Sequence, residues 1–240
     1  MLLKIQVAKL FFIIQKMIDA IILCGGQGTR VRYINPDLPK VLFPVEGRPF
    51  LDFVLTNLYF YGYRRFILAT GYLDEKIQEY ARKSPLEKHI LVSSESIPLG
   101  TAGAIKNAGE HINSDDFLVL NGDSLVKGNI KDLVEFHFSH QDLATVALTK
   151  SYDRTDAGNV DINSDSLVVA FNEKNKKRNY INAGLYIFYK TIFLLIPEGF
   201  SSLEEEILPD LVQLKALHGF PIKGQVIDIG TEERYSYVSG

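Results

Sequence analysis

A chain of 240 residues with a net charge of −3 has no basic surplus, which argues against a nucleic-acid partner. It is 46% hydrophobic and 23% charged, enough to build one globular domain with a full core. Its single cysteine, Cys24, excludes an internal disulfide and makes the cytoplasm the expected compartment.

The first sixteen residues are apolar, but the longest uncharged run, Leu10 to Gln15, is far below the roughly 20 residues that a membrane-spanning helix needs. Lys9 interrupts any signal-like core and no small-residue cleavage site follows. Residues 1–16 are expected to be an upstream extension with a mis-assigned start before Met17; an interfacial amphipathic helix is the alternative.

From Asp19 onward, strand-length apolar runs alternate with helical patterns. Asp19–Leu23 reads as a buried strand. It is followed by Cys-Gly-Gly-Gln-Gly-Thr-Arg, Cys24 to Arg30. Pro49–Tyr61 places Phe50, Leu51, Val54, Leu55 and Leu58 on one helical face. Arg65–Thr70 and Ile90–Ser93 read as strands, with a short helix over Asp74–Ala81 between them. Thr101–His111 reads as a helix opened by Gly100, and Phe117–Leu120 as a strand running into Asn121-Gly122-Asp123. Ile130–His140 is a helix.

This order predicts an α/β fold, a Rossmann-like, mostly parallel mixed sheet flanked by helices. Ligands of such sheets bind at the carboxyl ends of the strands, where the glycine loop and Asn121-Gly122-Asp123 both fall. The second part reads differently. Ala144–Thr149, Asn159–Ile162, Leu167–Asn172 and Ile181–Tyr189 are strand-like, Ser202–Leu214 is helical and Gln225–Ile229 is a last strand. These predict strands that extend the sheet, and a small β lobe beside it, within a single domain over 17–240.

The glycine loop matches neither common phosphate motif. Gly26-Gln27-Gly28 lacks the third glycine of a dinucleotide fingerprint, which argues against an oxidoreductase, and the loop ends Gly-Thr-Arg where a P-loop ends Gly-Lys-Ser/Thr. Arg30 is permanently charged and its fork suits phosphate oxygens. Lys40 follows ten residues later behind Pro39. Alone it would be an ordinary surface lysine; beside Arg30 it is a second cation for a triphosphate. His137 and His140 have helical spacing, but no carboxylate pattern completes a metal site, so both read as packing residues.

Gly25-Gly26-Gln27-Gly28-Thr29-Arg30 followed at this spacing by Pro39-Lys40 resembles the signature of the sugar-1-phosphate nucleotidylyltransferases. The likeness continues in order: Ser96 to Ala104 resembles their second nucleotide loop and Asn121-Gly122-Asp123 their metal motif. Gly158-Asn159-Val160, Asn172-Glu173-Lys174, Ile181-Asn182-Ala183-Gly184 and Asp228-Ile229-Gly230-Thr231 resemble their sugar-side and second metal elements. The resemblance implies a nucleotidyltransferase fold like that of the GT-A glycosyltransferases. It also implies an enzyme that joins a nucleoside triphosphate to a sugar 1-phosphate. It further implies a nucleotide-binding part over 17–140 and a sugar-binding part over 141–240.

By the same resemblance, Leu23, Cys24, Gly25, Gly26, Gly28, Thr29, Pro98, Leu99, Gly100, Thr101 and Gly122 bind the nucleotide. Arg30, Lys40 and Asp123 are catalytic, and Asp123 and Asp228 hold Mg²⁺. Gly158, Glu173, Lys174 and Asn182 bind the sugar phosphate. The second loop lacks the glutamine that pyrimidine-reading members present, so the resemblance leans to guanylyltransferase members. These use GTP with D-glycero-α-D-manno-heptose 1-phosphate or mannose 1-phosphate. UTP, CTP or dTTP remains the alternative, as does a non-catalytic regulatory homologue. A glycosyltransferase of similar architecture would carry Asp-x-Asp where this chain has Asn121-Gly122-Asp123. Val41-Leu42 and Val31-Arg32 depart from the family pattern in packing rather than charge. No nucleic-acid partner, no membrane span and no appended domain is expected; a homodimer is compatible with the sequence.

Overall fold

The computed structural model describes residues 18–140, 143–150, 159–172 and 180–239. The extension over 1–16 and the expected site residues Gly158, Glu173 and Lys174 lie outside them.

Strand β1 (Asp19–Leu23) lies in the interior of the sheet. Its Ala20 and Ile22 face one core and Ile21 the other, the alternation that a strand covered on both faces requires. A short hairpin, β2 (Pro44–Val45) and β3 (Arg48–Pro49), leads into helix α1 (Phe50–Phe60). The predicted face of α1 is buried: Phe50, Leu51, Val54, Leu55 and Leu58 enter the first core, each contributing about 2 kcal/mol relative to exposure. The helix stops at Gly62 (φ +98°), where the N–H groups of Gly62 and Tyr63 donate to the carbonyls of Tyr59 and Leu58.

Strand β4 (Phe66–Thr70), helix α2 (Asp74–Lys83), strand β5 (Ile90–Ser94), helix α3 (Gly100–Ala108) and strand β6 (Asp116–Asn121) follow. The parallel strands lie in the order β6-β1-β4-β5. The chain therefore winds outward from β1 through β4 to β5, then returns to the other side of β1 with β6. The direction reverses between β1 and β6, so their carboxyl ends flank the crevice in which open α/β sheets bind ligands. Helices α1 and α2 cover one face and α3 the other.

Past β6, β7 (Ser124–Gly128) leads to helix α4 (Ile130–His140) on the first face. Strands β8 (Ala144–Lys150), β9 (Asn159–Ile162), β10 (Val168–Asn172), β11 (Tyr180–Tyr189) and β12 (Leu217–Pro221) extend the sheet. β11 runs antiparallel to β6, and its bulge between Asn182 and Tyr186 contains Gly184 (φ +69°). The predicted helix over Ser202–Leu214 is a π-helical turn, Leu203–Ile207, followed by α5 (Leu208–Gln213). Strand β13 (Gly224–Asp228) pairs with β7 in a separate ribbon, and α6 (Glu232–Ser239) closes the described chain. Strands β7 and β12 and helix α6 were not legible as elements.

His137 is buried between Thr145 Oγ1 at 2.8 Å and Asp116 Oδ1 at 3.0 Å, a packing role. Among the described residues no helix is long and apolar enough to cross a membrane.

Candidate active site

The first loop is shaped by close approach. Cys24 N–H continues the sheet by donating to Ala69 C=O at 2.8 Å. A side chain on Gly25 would press against Gly71 N at 3.1 Å, and one on Gly122 would lie 2.9 Å from Leu23 O and 3.1 Å from Cys24 Sγ. Gly28 (φ +59°) takes a left-handed turn that only glycine adopts at no cost, and its carbonyl accepts from Val31 and Arg32 N–H. Gly26, Thr29 and Arg30 are exposed at the crest. Cys24 is buried, and burial followed by the nearby charge of Asp123 pushes its thiol pKa well up. It packs as an inert neutral group.

Lys40 opens a 3₁₀ turn, Lys40–Leu42, behind Pro39 (φ −64°), with Val41 and Leu42 buried as anchors. Its ammonium pairs with the Asp123 carboxylate. Asp123 feels burial, which raises its pKa, and Lys40, which lowers it; the net effect holds it below the ordinary carboxylate range. The pair stands where β6 ends, and Asn121 lies in register with Leu23 at the end of β1. Arg30, Lys40 and Asp123, spread over 94 positions of sequence, thus belong to adjoining strand ends.

Asp228 arrives on β13, paired with Ser124 beside Asp123, and Ile229 N–H donates to Asp123 C=O at 3.1 Å. Its carboxylate accepts from Gly230 N at 3.0 Å and is clasped by Arg234 Nη1 at 2.9 and 3.0 Å. A side chain built on Gly230 would lie 3.6 Å from Arg30 Nη2 and 4.0 Å from Arg234 Nη2, so both guanidinium groups approach this corner. Two carboxylates with hard oxygen donors suit Mg²⁺, whose remaining positions phosphate and water fill. Among the described residues no group of three or more metal-ligating side chains is gathered.

The second loop is built around Glu95 and the start of α3. Glu95 Oε2 accepts from Leu99 N at 3.1 Å, and its Oε1 lies where a side chain on Gly71 would collide, at 2.3 Å. Burial raises the Glu95 pKa, and the Leu99 N–H opposes that shift. Gly100 (φ +71°) brings the chain against Ser201, whose carbonyl accepts from Ala102 and Gly103 N–H at 2.9 and 3.3 Å. Two orphan donors of the helix start are satisfied this way. Pro98 is exposed, Leu99 and Thr101 half-buried.

On the far side, Asn182 donates to Tyr186 Oη at 2.6 Å and accepts from Gly184 N at 2.9 Å. Gly184 passes over the motif: a side chain there would lie 2.7 Å from Asn121 Nδ2. Glu95 and Arg234 are the site neighbours that sequence reasoning missed. Their side chains reach the site through tertiary contacts that leave no sign in the sequence.

A Rossmann-like sheet with a glycine loop and an Asn-Gly-Asp turn at its switch point, and with lysine, arginine and carboxylates converging there, defines a phosphate-handling transferase. The chain belongs to the nucleotidyl transferase family, whose profile matches residues 19–239. It is 36% identical over 220 residues to a D-glycero-alpha-D-manno-heptose 1-phosphate guanylyltransferase of Aneurinibacillus thermoaerophilus, covering 90% of this chain and 95% of that one. It is 33% identical to a mannose-1-phosphate guanylyltransferase of Mycobacterium tuberculosis, spanning 91% of this chain but 62% of that protein. Its fold superimposes on HddC from Yersinia pseudotuberculosis with a TM-score of 0.82 and 32% identity, covering 93% and 98% of the two chains. The same protein complexed with GMP-PN gives a TM-score of 0.81.

Proposed function

We propose that this chain is a sugar-1-phosphate guanylyltransferase that uses GTP and a manno-configured sugar 1-phosphate, D-glycero-α-D-manno-heptose 1-phosphate before mannose 1-phosphate. A sugar-phosphate oxygen attacks the α-phosphorus of GTP, the α–β bridging bond breaks, and pyrophosphate leaves as the nucleotide sugar forms. The observation that carries this reading is the convergence of Arg30, Lys40 and Asp123 at the carboxyl ends of β1 and β6. The strong identity to heptose-phosphate guanylyltransferases over nearly their full length supports it.

The chemistry needs positioning and charge neutralisation rather than a protein nucleophile. The N–H groups of Gly25 to Thr29 cradle the triphosphate, Arg30 takes the leaving pyrophosphate, and Lys40 screens the two anions that must meet at the α-phosphorus. Mg²⁺, held by Asp123 and Asp228, would neutralise phosphate charge when bound. Both carboxylates carry a cation here, Lys40 and Arg234, so each is aimed by an ion pair. In the nucleotide-binding part, 17–140, Glu95 selects guanine. Guanine presents two donors on one edge, N1–H and the N2 amino group, and a carboxylate accepts both; a uracil or thymine edge offers a single N3–H flanked by carbonyl oxygens that a carboxylate repels. In the sugar-binding part, 141–240, Gly158, Glu173, Lys174 and Asn182 bind the sugar phosphate.

The test is pyrophosphate release with Mg²⁺ across GTP, UTP, CTP and dTTP against a panel of sugar 1-phosphates. GTP with a manno-configured heptose phosphate is the expected pair. Release with a pyrimidine nucleotide alone would overturn the guanine assignment. Nucleotide binding without release on any sugar would favour a regulatory role.

A further inference from the structure

Strand β4 passes into helix α2 through Leu73, which takes a left-handed backbone (φ +54°) at a steric cost that glycine would not incur. The turn brings Asp74 back over the sheet, where its N–H donates to Gly71 C=O at 3.2 Å. Asp74 opens α2, yet its carboxylate serves the ends of two strands. Oδ1 accepts from Thr70 Oγ1 and from Ser94 Oγ, the latter at 2.8 Å, and Oδ2 accepts from Gln78 Nε2 at 2.7 Å. Thr70 and Ser94 form the last rung of the parallel β4–β5 ladder. One carboxylate therefore ties both sides of that rung, on the face that α2 covers. Thr70 is buried, where a hydroxyl without a partner is costly.

Glu95 is the next residue after the rung. Its N–H donates to Thr70 C=O at 2.9 Å. Its Oε1 rests over Gly71, in space that any larger residue would fill: an added side chain there would lie 2.3 Å from it, and one on Gly25 3.6 Å. Its Oε2 accepts from Leu99 N at 3.1 Å. The carboxylate assigned to guanine thus stands where β1, β4 and β5 end side by side. Asp74 is bonded to three residues that place it: Thr70, which accepts its N–H; Gly71, over which its carboxylate rests; and Ser94, which precedes it in the chain.

We propose that Asp74 is a positioning residue for base selection: it holds Gly71 and the Thr70–Ser94 rung, and through them fixes the direction of the Glu95 carboxylate. This rests on the reading of Glu95 as the guanine selector. Accepting N1–H and the N2 amino group together requires the carboxylate to face both donors at once. A carboxylate that has turned keeps one of those bonds more easily than two, so loss of Asp74 should show first as loss of discrimination at the amino group.

Calorimetric titration with GTP and with inosine triphosphate, whose base keeps N1–H and lacks the amino group, tests this in the presence of Mg²⁺. The proteins are wild type, Asp74→Ala, Asp74→Asn, Glu95→Gln and the double variant Glu95→Gln/Asp74→Ala, with a circular-dichroism melt on each. Wild type is expected to prefer GTP by about 10-fold or more, the range for one hydrogen bond to a charged group. Asp74→Ala should weaken GTP by about 5- to 10-fold and inosine triphosphate less, shrinking the preference at least about 3-fold. Asp74→Asn, whose side-chain oxygen still accepts from the two hydroxyls, should recover most of it. Glu95→Gln should lower the preference too, and adding Asp74→Ala should lower it no further, because the two act as one network. An unchanged preference in Asp74→Ala, even with a lowered melting point, would make Asp74 a stabiliser of α2 alone and overturn the inference. Equal weakening of both nucleotides would do the same, as would a loss of preference that is as large in the Glu95→Gln background. A wild-type preference near one, or one that Glu95→Gln leaves intact, would instead overturn the guanine reading of Glu95, and this inference with it.

Discussion

Lys40 and Asp123 are each half-buried, and each charge offsets the desolvation of the other. Asp123→Asn keeps the shape and removes the charge. Turnover is expected to fall at least about 100-fold while the fold survives, the scale lost when a pre-organised electrostatic group is removed. Because the folded pKa of Asp123 is depressed, its stabilising contribution is complete above the ordinary carboxylate range, about pH 4, and is lost as pH falls through the folded value. The stability difference between wild type and Asp123→Asn should therefore narrow on acidification from pH 5 to pH 3 in urea titrations. Glu95 carries the opposite sign. Its pKa is raised, so ionisation costs stability as pH rises through the folded value. Glu95→Gln should melt higher than wild type at pH 7, with the gain vanishing below about pH 4. The same variant should raise the KM for GTP by about 10- to 100-fold, the range for a hydrogen bond to a charged group. Melting without a gain, or an unchanged KM, would remove Glu95 from the guanine pocket.

At the scale of elements, the two nucleotide loops are held by opposite means. The loop after β1 depends on what glycine lacks, whereas the loop before α3 is pinned by Ser201 from the second half of the chain. Gly100→Ala forces a left-handed backbone and places a methyl 2.4 Å from Ser201 O. A loss of about 2 kcal/mol or more is expected in denaturant unfolding, together with weaker nucleotide binding. Gly26→Ala meets nothing within 4 Å and should keep its stability while losing nucleotide affinity, since the methyl enters the space assigned to phosphate. Much of this was readable. The face of α1 follows from apolar spacing, and both strand-end loops from residue type. Strand β12 was not, because Leu-His-Gly-Phe-Pro carries two strand breakers and is held by pairing with β8. Helix α6 buries no residue and so shows no periodicity. Asp228 was legible from its motif, but the clasp by Arg234 is a tertiary contact without a sequence sign. Predicted ends also moved: the helix read over Thr101–His111 ends at Ala108 and continues as a 3₁₀ turn.

For the whole molecule, the proposed division of labour is that residues up to 140 hold nucleotide and residues beyond hold sugar phosphate. Lys174→Ala is accordingly expected to raise the KM for sugar phosphate more than that for GTP; equal effects on both would contradict its assignment. The two parts are not joined like the halves of a clamshell. Strand β11 pairs through Leu185–Tyr189 with β6, the strand that ends at Asn121-Gly122-Asp123, and through Tyr180–Ile181 with β9. A rotation of one half against the other would have to tear that ladder. Substrate capture must then come from the loops at the strand ends, while the frame beneath them stays still. A scattering profile recorded with and without bound nucleotide should superimpose, and amide protons along β11 should exchange slowly in both states.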